Sequence, residues 1–286
     1  MTTVVPGDVE PESPLLVAIP GASGAPPLSI PAGVVIGAAV FTSCGLVAAL
    51  RQQAWEFPVI HAFNAIAGRS QPLDRGIHTL TSRDLLQGAV FVALIWYLWF
   101  DTADVGVRAR LLTGTFAATL GGMLSRLLQI VLPTHLRPLH TPSLGSVMPM
   151  GVEPDTLNHF DAFPSDHGAV LFGLAIVIYR LRPQLGGPAI VWATIVSASR
   201  IYEGYHYPSD VVGSIGLALM VVSMFDNRWF AYLAQRLLVL EQTWRPMFYL
   251  LAFLVTYQIA TLFDDVREIG RGFAQVVLHH EPFDGS

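Results

Sequence analysis

In SASRIYEGYHYPSDVVG, residues 197–213, an arginine, a histidine and an aspartate stand between two apolar runs. Asp210 follows His206 by four positions. A carboxylate so placed can accept the imidazole Nδ1–H, which fixes the tautomer and leaves Nε2 as a nucleophile. Arg200 adds a planar fork of donors suited to phosphate oxygens. A second group is AFPSDHGAV, residues 162–170. Pro164 is expected at the first helical position, where its missing N–H costs nothing. Ser165, Asp166 and His167 then fall in a first turn whose free N–H groups make an anion site. Ser165 contributes a hydroxyl donor, and His167 a proton near neutral pH. The third group, LLQIVLPTHLRPLHTP at 127–142, offers Arg137 as a second phosphate clamp. Arg126 lies inside the preceding apolar run, ~9 Å of helix from its end. Two readings of it stand open: an intramembrane functional arginine, or one that snorkels to the surface.

Something must hold these groups together. The 286 residues are 52% hydrophobic and only 13% charged, against about 25% charged in soluble domains. That composition points to a polytopic membrane protein. Apolar runs at about 31–50, 85–101, 111–132, 164–181, 188–204, 208–226 and 246–263 are the expected spans. Residues 51–84 read as one or two interfacial helices, and 264–280 as an amphipathic helix. Residues 1–30, rich in Pro, Gly and Ser and without the basic start of a signal peptide, read as a flexible tail. The expected organisation is a tail over 1–30, a membrane-embedded core over 31–226, and a C-terminal span with an amphipathic helix over 227–286.

With seven spans, parity places the end of span three, the start of span four, the end of span five and the start of span six on one membrane face. Those four places carry the three polar groups. The arginines divide almost evenly between the two sides, so the positive-inside rule sets no orientation. All sixteen basic residues are arginine, so any phosphate site here lacks lysine. A net charge of −5 gives no basic surface for nucleic acid. His135, His140, His159 and Asp161 match no standard zinc spacing and read as loop polarity at the site's entrance. Neither a metal nor another cofactor is expected. Glu203 and Tyr205, between motif residues, are candidates for shaping the pocket.

These residues resemble the motifs of the type 2 phosphatidic acid phosphatases, in the integral-membrane branch of a superfamily shared with the vanadium haloperoxidases. That family carries Lys-x6-Arg-Pro, Pro-Ser-Gly-His and Ser-Arg-x5-His-x3-Asp. The third motif is present in full as Ser199, Arg200, His206 and Asp210. The second is present as Pro164, Ser165, Asp166 and His167, with aspartate where glycine is usual. The first is present only as Arg137 and Pro138, with Ile130 at the lysine position. The likeness covers roughly residues 51–226.

The resemblance implies an all-α bundle with a six-helix phosphatase core, to which the run at 246–263 adds a seventh span. It implies a metal-independent lipid phosphatase in which His206 attacks phosphorus and Asp210 orients it. His167 would protonate the leaving oxygen and later activate water. Arg137, Arg200 and Ser165 would hold the equatorial oxygens, with Arg126 as a candidate replacement for the missing lysine. Phosphoryl transfer needs mainly positioning and charge stabilisation, which such a set supplies. The Pro-Ser-Asp-His form is similar to that of bacterial undecaprenyl-diphosphate phosphatases. The implied setting is the bacterial inner membrane with the site on the extracytoplasmic side, and the implied substrate a polyprenyl diphosphate. Phosphatidic acid or another glycerolipid phosphate, phosphoryl transfer to a second lipid, and non-catalytic lipid-phosphate binding are the alternatives. Asp166 would tune His167, face a terminal phosphate as a protonated donor, or serve only the helix dipole.

Overall fold

The structure, a computed structural model, describes residues 31–50, 53–132, 135–153 and 161–264. Among these it contains ten α-helices and no strand. In chain order they are α1 Ala32–Ala49, α2 Phe57–Asn64, α3 Gln71–Ser82, α4 Gly88–Asp101, α5 Val105–Val131, α6 Asp166–Leu181, α7 Pro183–Tyr202, α8 Pro208–Phe225, α9 Arg228–Thr243 and α10 Arg245–Ala260. The tail expected over 1–30 and nearly all of the helix expected over 264–280 lie outside the described residues.

Each expected span is a helix. Ala32–Ala49, Val105–Val131 and Pro208–Phe225 are long and apolar enough to cross a membrane, and Gly88–Asp101 is apolar but shorter. The 18 residues of α8 reach ~27 Å, close to the ~30 Å hydrocarbon core. The molecule is a multi-pass, all-α membrane protein. Large apolar side chains such as Ile36 on α1 and Leu250, Leu251, Phe253 and Leu254 on α10 are exposed, as lipid contact requires.

The centre of the bundle is α6. Ala169, Val170, Leu171, Phe172, Leu174 and Ala175 are all buried, so the helix has no solvent or lipid face along this stretch. It packs against α5, α7 and α8. Along α8 runs α1, where Gly37 meets the α8 backbone at Gly216 and Met220 so closely that a Cβ would collide.

Several elements differ from expectation. Helix α5 begins at Val105, because the Asp104 side chain caps it by accepting from the Val107 N–H at 2.9 Å. Helix α7 begins at Pro183, five residues before the expected span at 188, and carries Pro188 inside it. Helix α9 had no counterpart among the expected spans, because polar residues interrupt it and it does not cross the bundle. It starts just after Asp226, which pairs with Arg180, and near its end Glu241 lies 3.4 Å from Arg108 at the start of α5. Both ends of α9 therefore lie at the same face, and α10 returns from there.

At the opposite face the C-terminal ends of α5 and α7 meet the N-terminal ends of α6 and α8, as parity required. The Pro164 carbonyl before α6 accepts from Ser125 Oγ at 3.1 Å and from Gln129 Nε2 at 2.5 Å, both on α5. The Ser165 N–H donates to the Asp210 carbonyl of α8 at 3.2 Å. Helices α2 and α3 close this end against α7: the Tyr202 hydroxyl donates to Asp74 at 2.5 Å, and Thr81 Oγ1 to Glu203 at 2.8 Å.

Candidate active site

Helix α7 ends where Gly204 takes φ +75°, a backbone state that a Cβ disfavours. The Gly204 N–H donates to the Ile201 carbonyl and the Tyr205 N–H to the Arg200 carbonyl, both at 3.0 Å. This is a Schellman stop, and it turns the chain sharply into His206. Tyr207 then caps α8 and Pro208 opens it, as expected. The expected place of Pro164 is off by two positions. Ser165 is the N-cap of α6, its Oγ accepting from the Gly168 N–H at 3.2 Å. Pro164 therefore lies outside the helix, and the Phe163–Pro164 peptide bond is cis.

His206 is wholly buried. Its Nδ1 is 2.9 Å from the Ala162 carbonyl oxygen, which can only accept, so the proton sits on Nδ1. Asp210 was expected to be that direct acceptor, but its Oδ2 is 3.6 Å away. Oδ2 instead accepts from the Tyr207 N–H at 2.7 Å. Nε2 of His206 is buried and has no hydrogen-bond partner among the described residues. Burial pushes the imidazole pKa down to about 4, aided by Arg137 and opposed by Asp210. Near neutral pH the ring is thus uncharged, with an open lone pair on Nε2.

The cations approach from three elements. Arg137 is only 1% exposed and donates to the carbonyls of Tyr205 at 2.8 Å and Asp161 at 3.2 Å. Burial lowers its pKa to about 10, which leaves it charged at neutral pH. Arg200 lies 4.8 Å over the Tyr205 ring, and its buried Nε has no hydrogen-bond partner among the described residues. Tyr205 thus supports Arg200 by its face and Arg137 by its carbonyl. Arg126 does not snorkel: its Nη1 is 2.9 Å from Gln129 Oε1 and 3.5 Å from Asp166 Oδ2. Ile130, at the lysine position of the first motif, is 63% exposed.

Asp166 bridges two of the expected residues. Its Oδ1 is 3.0 Å from His167 Nδ1, and its Oδ2 faces Arg126.

The structure thus gathers His206, Asp210, Ser165, Asp166, His167, Arg137, Arg200 and Arg126 at one end of the bundle. Two buried acids and a histidine were missed. Glu56, before α2, accepts from the Ser209 N–H at 2.5 Å and from Ser209 Oγ at 2.9 Å, so it neutralises the first turn of α8. Burial raises its pKa, while the two Ser209 bonds oppose the rise. Asp74 holds Tyr202 and accepts from the Met150 N–H at 3.2 Å, pinning the long loop to α3. His135, expected as polarity at the entrance, is buried beside Asp210. Glu203, expected to shape the pocket, points to α3 and lies 3.0 Å from His78. His159 lies outside the described residues.

Comparison with known families matches residues 132–237 to the PAP2 superfamily. The chain carries a PAP2 superfamily domain. That PAP2 stretch holds every group around His206 except Arg126 and Glu56. The undecaprenyl-diphosphatase BcrC of Bacillus subtilis (strain 168) is 22% identical over 169 residues, 59% of this chain and 81% of the relative. The bacitracin transport permease protein BcrC of Bacillus licheniformis is 37% identical over 71 residues, 25% of this chain and 34% of the relative. The lipid A 4'-phosphatase of Bacteroides thetaiotaomicron is 33% identical over 87 residues, 30% of this chain and 36% of the relative. No solved structure matches the chain significantly.

Proposed function

We propose that this PAP2 protein is a phosphatase of membrane lipid phosphates that hydrolyses undecaprenyl or another polyprenyl diphosphate through a phosphohistidine. The observation that carries the reading is the open Nε2 of His206, buried among Arg137, Arg200 and the α6 start. A lone pair held there has the terminal phosphorus of an anion as its natural partner. In the first step Nε2 of His206 bonds to phosphorus, the bond from phosphorus to the leaving oxygen breaks, and His167 Nε2 protonates that oxygen. In the second step His167 takes a proton from water, the hydroxide attacks phosphorus, and the N–P bond breaks to release inorganic phosphate. Arg137 and Arg200 hold the equatorial oxygens, and the Ser165 O–H remains able to donate to one of them. Asp166 keeps His167 oriented, while Arg126 supplies positive charge where the usual lysine is missing. No step in this scheme calls on a metal ion.

The polyprenyl assignment rests on the Pro-Ser-Asp-His form of the second motif and on the similarity to an undecaprenyl-diphosphatase. The site would open to the extracytoplasmic side of a bacterial inner membrane, where such a headgroup is presented. The similarity to a lipid A 4'-phosphatase supports a second reading, a phosphate borne on a lipid-linked sugar. Purified protein in detergent, given undecaprenyl diphosphate, phosphatidic acid, phosphatidylglycerol phosphate, diacylglycerol pyrophosphate and lipid A in EDTA, tests both. The expected result is phosphate release fastest from undecaprenyl diphosphate. Preference for a glycerolipid, or abolition by EDTA, would overturn the reading.

A further inference from the structure

Two groups hold His206, and both lead back to one residue that no motif includes. The Ala162 carbonyl takes the Nδ1 proton at 2.9 Å, and the Ala162 N–H donates to the His135 carbonyl at 3.1 Å. Asp210 stands 3.6 Å from the same Nδ1, and its other oxygen lies 3.1 Å from His135 Nε2. His135 therefore reaches the nucleophile's carbonyl through its backbone and the nucleophile's carboxylate through its ring. The ring is almost fully buried and packs edge-on against Tyr207, with centroids 4.8 Å apart. Tyr207 in turn contacts Thr141 Oγ1 at 3.2 Å, which fixes it to the long loop.

The chemistry of the contact sets its proton. An unprotonated ring nitrogen at 3.1 Å from a buried carboxylate oxygen would set a lone pair against an anion. The contact therefore favours hydrogen on Nε2 of His135. The contact is at ion-pair distance without the alignment of a hydrogen bond, so neither ring nitrogen of His135 has a hydrogen-bond partner among the described residues. Three other charged groups face this cluster, Glu56 behind Ser209, and Arg137 and Arg200 beside His206.

We infer that His135 is a positioning residue. By sharing Asp210 with His206 it holds the carboxylate where it steadies the nucleophile's Nδ1 edge, so the anion at the site is an imidazole–carboxylate–imidazole arrangement rather than a His–Asp pair. Its effect on turnover rests on the phosphatase reading, whereas its protonation does not.

The test pairs His135→Phe, which keeps ring volume and the backbone link but has no donor, with His135→Gln, whose Nε2 sits near the imidazole position. With undecaprenyl diphosphate, kcat is expected to fall on the order of 10- to 100-fold in the Phe variant at unchanged KM, as for a reacting group displaced by about 1 Å. The Gln variant is expected to recover most of the loss, and vanadate affinity to stay at the wild-type value in both. A Phe variant with wild-type kcat, or a Gln variant as slow as Phe, would overturn the inference. Isotope-labelled histidine NMR of the wild-type protein decides it without turnover: hydrogen on Nε2 of His135 is expected, and an Nδ1–H tautomer would overturn it. Failure of the substrate panel with the Nε2–H present would fault the phosphatase reading and leave the geometric inference standing.

Discussion

The two ends of the helix bundle both gather arginines, but they treat them differently. At the face crossed by α9, Arg182 meets Asp101 at 2.7 Å, Arg180 meets Asp226 at 3.3 Å and Arg108 meets Glu241 at 3.4 Å. Each is a one-to-one pair, and the first two are more than a third exposed on at least one partner. Pairs of that kind are worth ~0–1 kcal/mol and are screened by salt. At the other face Arg200 is buried against an aromatic ring and forms no ion pair among the described residues. Arg137 is buried too, with two of its donors directed at backbone carbonyls. A carboxylate partner cancels a guanidinium's charge, whereas a neutral carbonyl or ring orients it and leaves the field intact. Burying such a charge is destabilising unless an anion compensates it. The contrast is between arginines paired with carboxylates at an exposed face and Arg200, buried against a ring with no ion pair among the described residues, while Arg126 of that same face meets Asp166 at 3.5 Å.

The contrast can be broken by experiment. The largest effect is expected for Arg200→Gln, a fall in kcat/KM on the order of 10²- to 10³-fold, as for removal of one stabiliser of developing charge. Retention of activity would place the phosphate elsewhere. Next is Asp166→Gly, which installs the usual residue of the second motif and removes the acceptor on His167 Nδ1. A loss of kcat of roughly 10-fold is expected, within the range of an acid–base catalyst left unoriented. A faster enzyme would show that Asp166 serves only the helix dipole. A smaller effect concerns pH. Burial depresses the His206 pKa to about 4, so the ring stays unprotonated as pH falls through 6.5. The acid limb of kcat/KM assigned to this residue is expected below about pH 5, and a limb near pH 6.5 that disappears with His206 would contradict it. The smallest effect is Arg182→Gln at the α9 face, where kcat/KM is expected to stay within about twofold of wild type. A loss there equal to that of Arg200→Gln would erase the distinction between the faces.

Much of this architecture is legible in the sequence because it is written locally. Runs of apolar residues gave α1, α4 to α8 and α10, and the Gly204 stop follows from the residue needed at a left-handed position. The Ser199–Arg200, His206 and Asp210 spacing points to one side of the candidate site. Helix α9 was not legible, because its polar residues hide a helix that lies across a face instead of spanning. The start of α7 lies five residues before the expected span, because Pro183 opens the helix and Pro188 is carried inside it. The residues missed at the site act over long separations. Glu56 caps a helix turn at Ser209, and His135 reaches Asp210, through contacts that no spacing encodes. The acceptor on His206 Nδ1 was missed for the same reason: it is a backbone carbonyl, and backbone atoms leave no mark in composition.

The central claim is that the buried, open Nε2 of His206 takes the phosphoryl group. The most direct measurement is to mix the protein with undecaprenyl diphosphate radiolabelled at its terminal phosphate, quench it in alkali within one turnover, and map the label by peptide mass spectrometry. Label on His206, absent together with activity in His206→Ala, is the expected result. Label on another residue, or sustained phosphate release by His206→Ala, would contradict it.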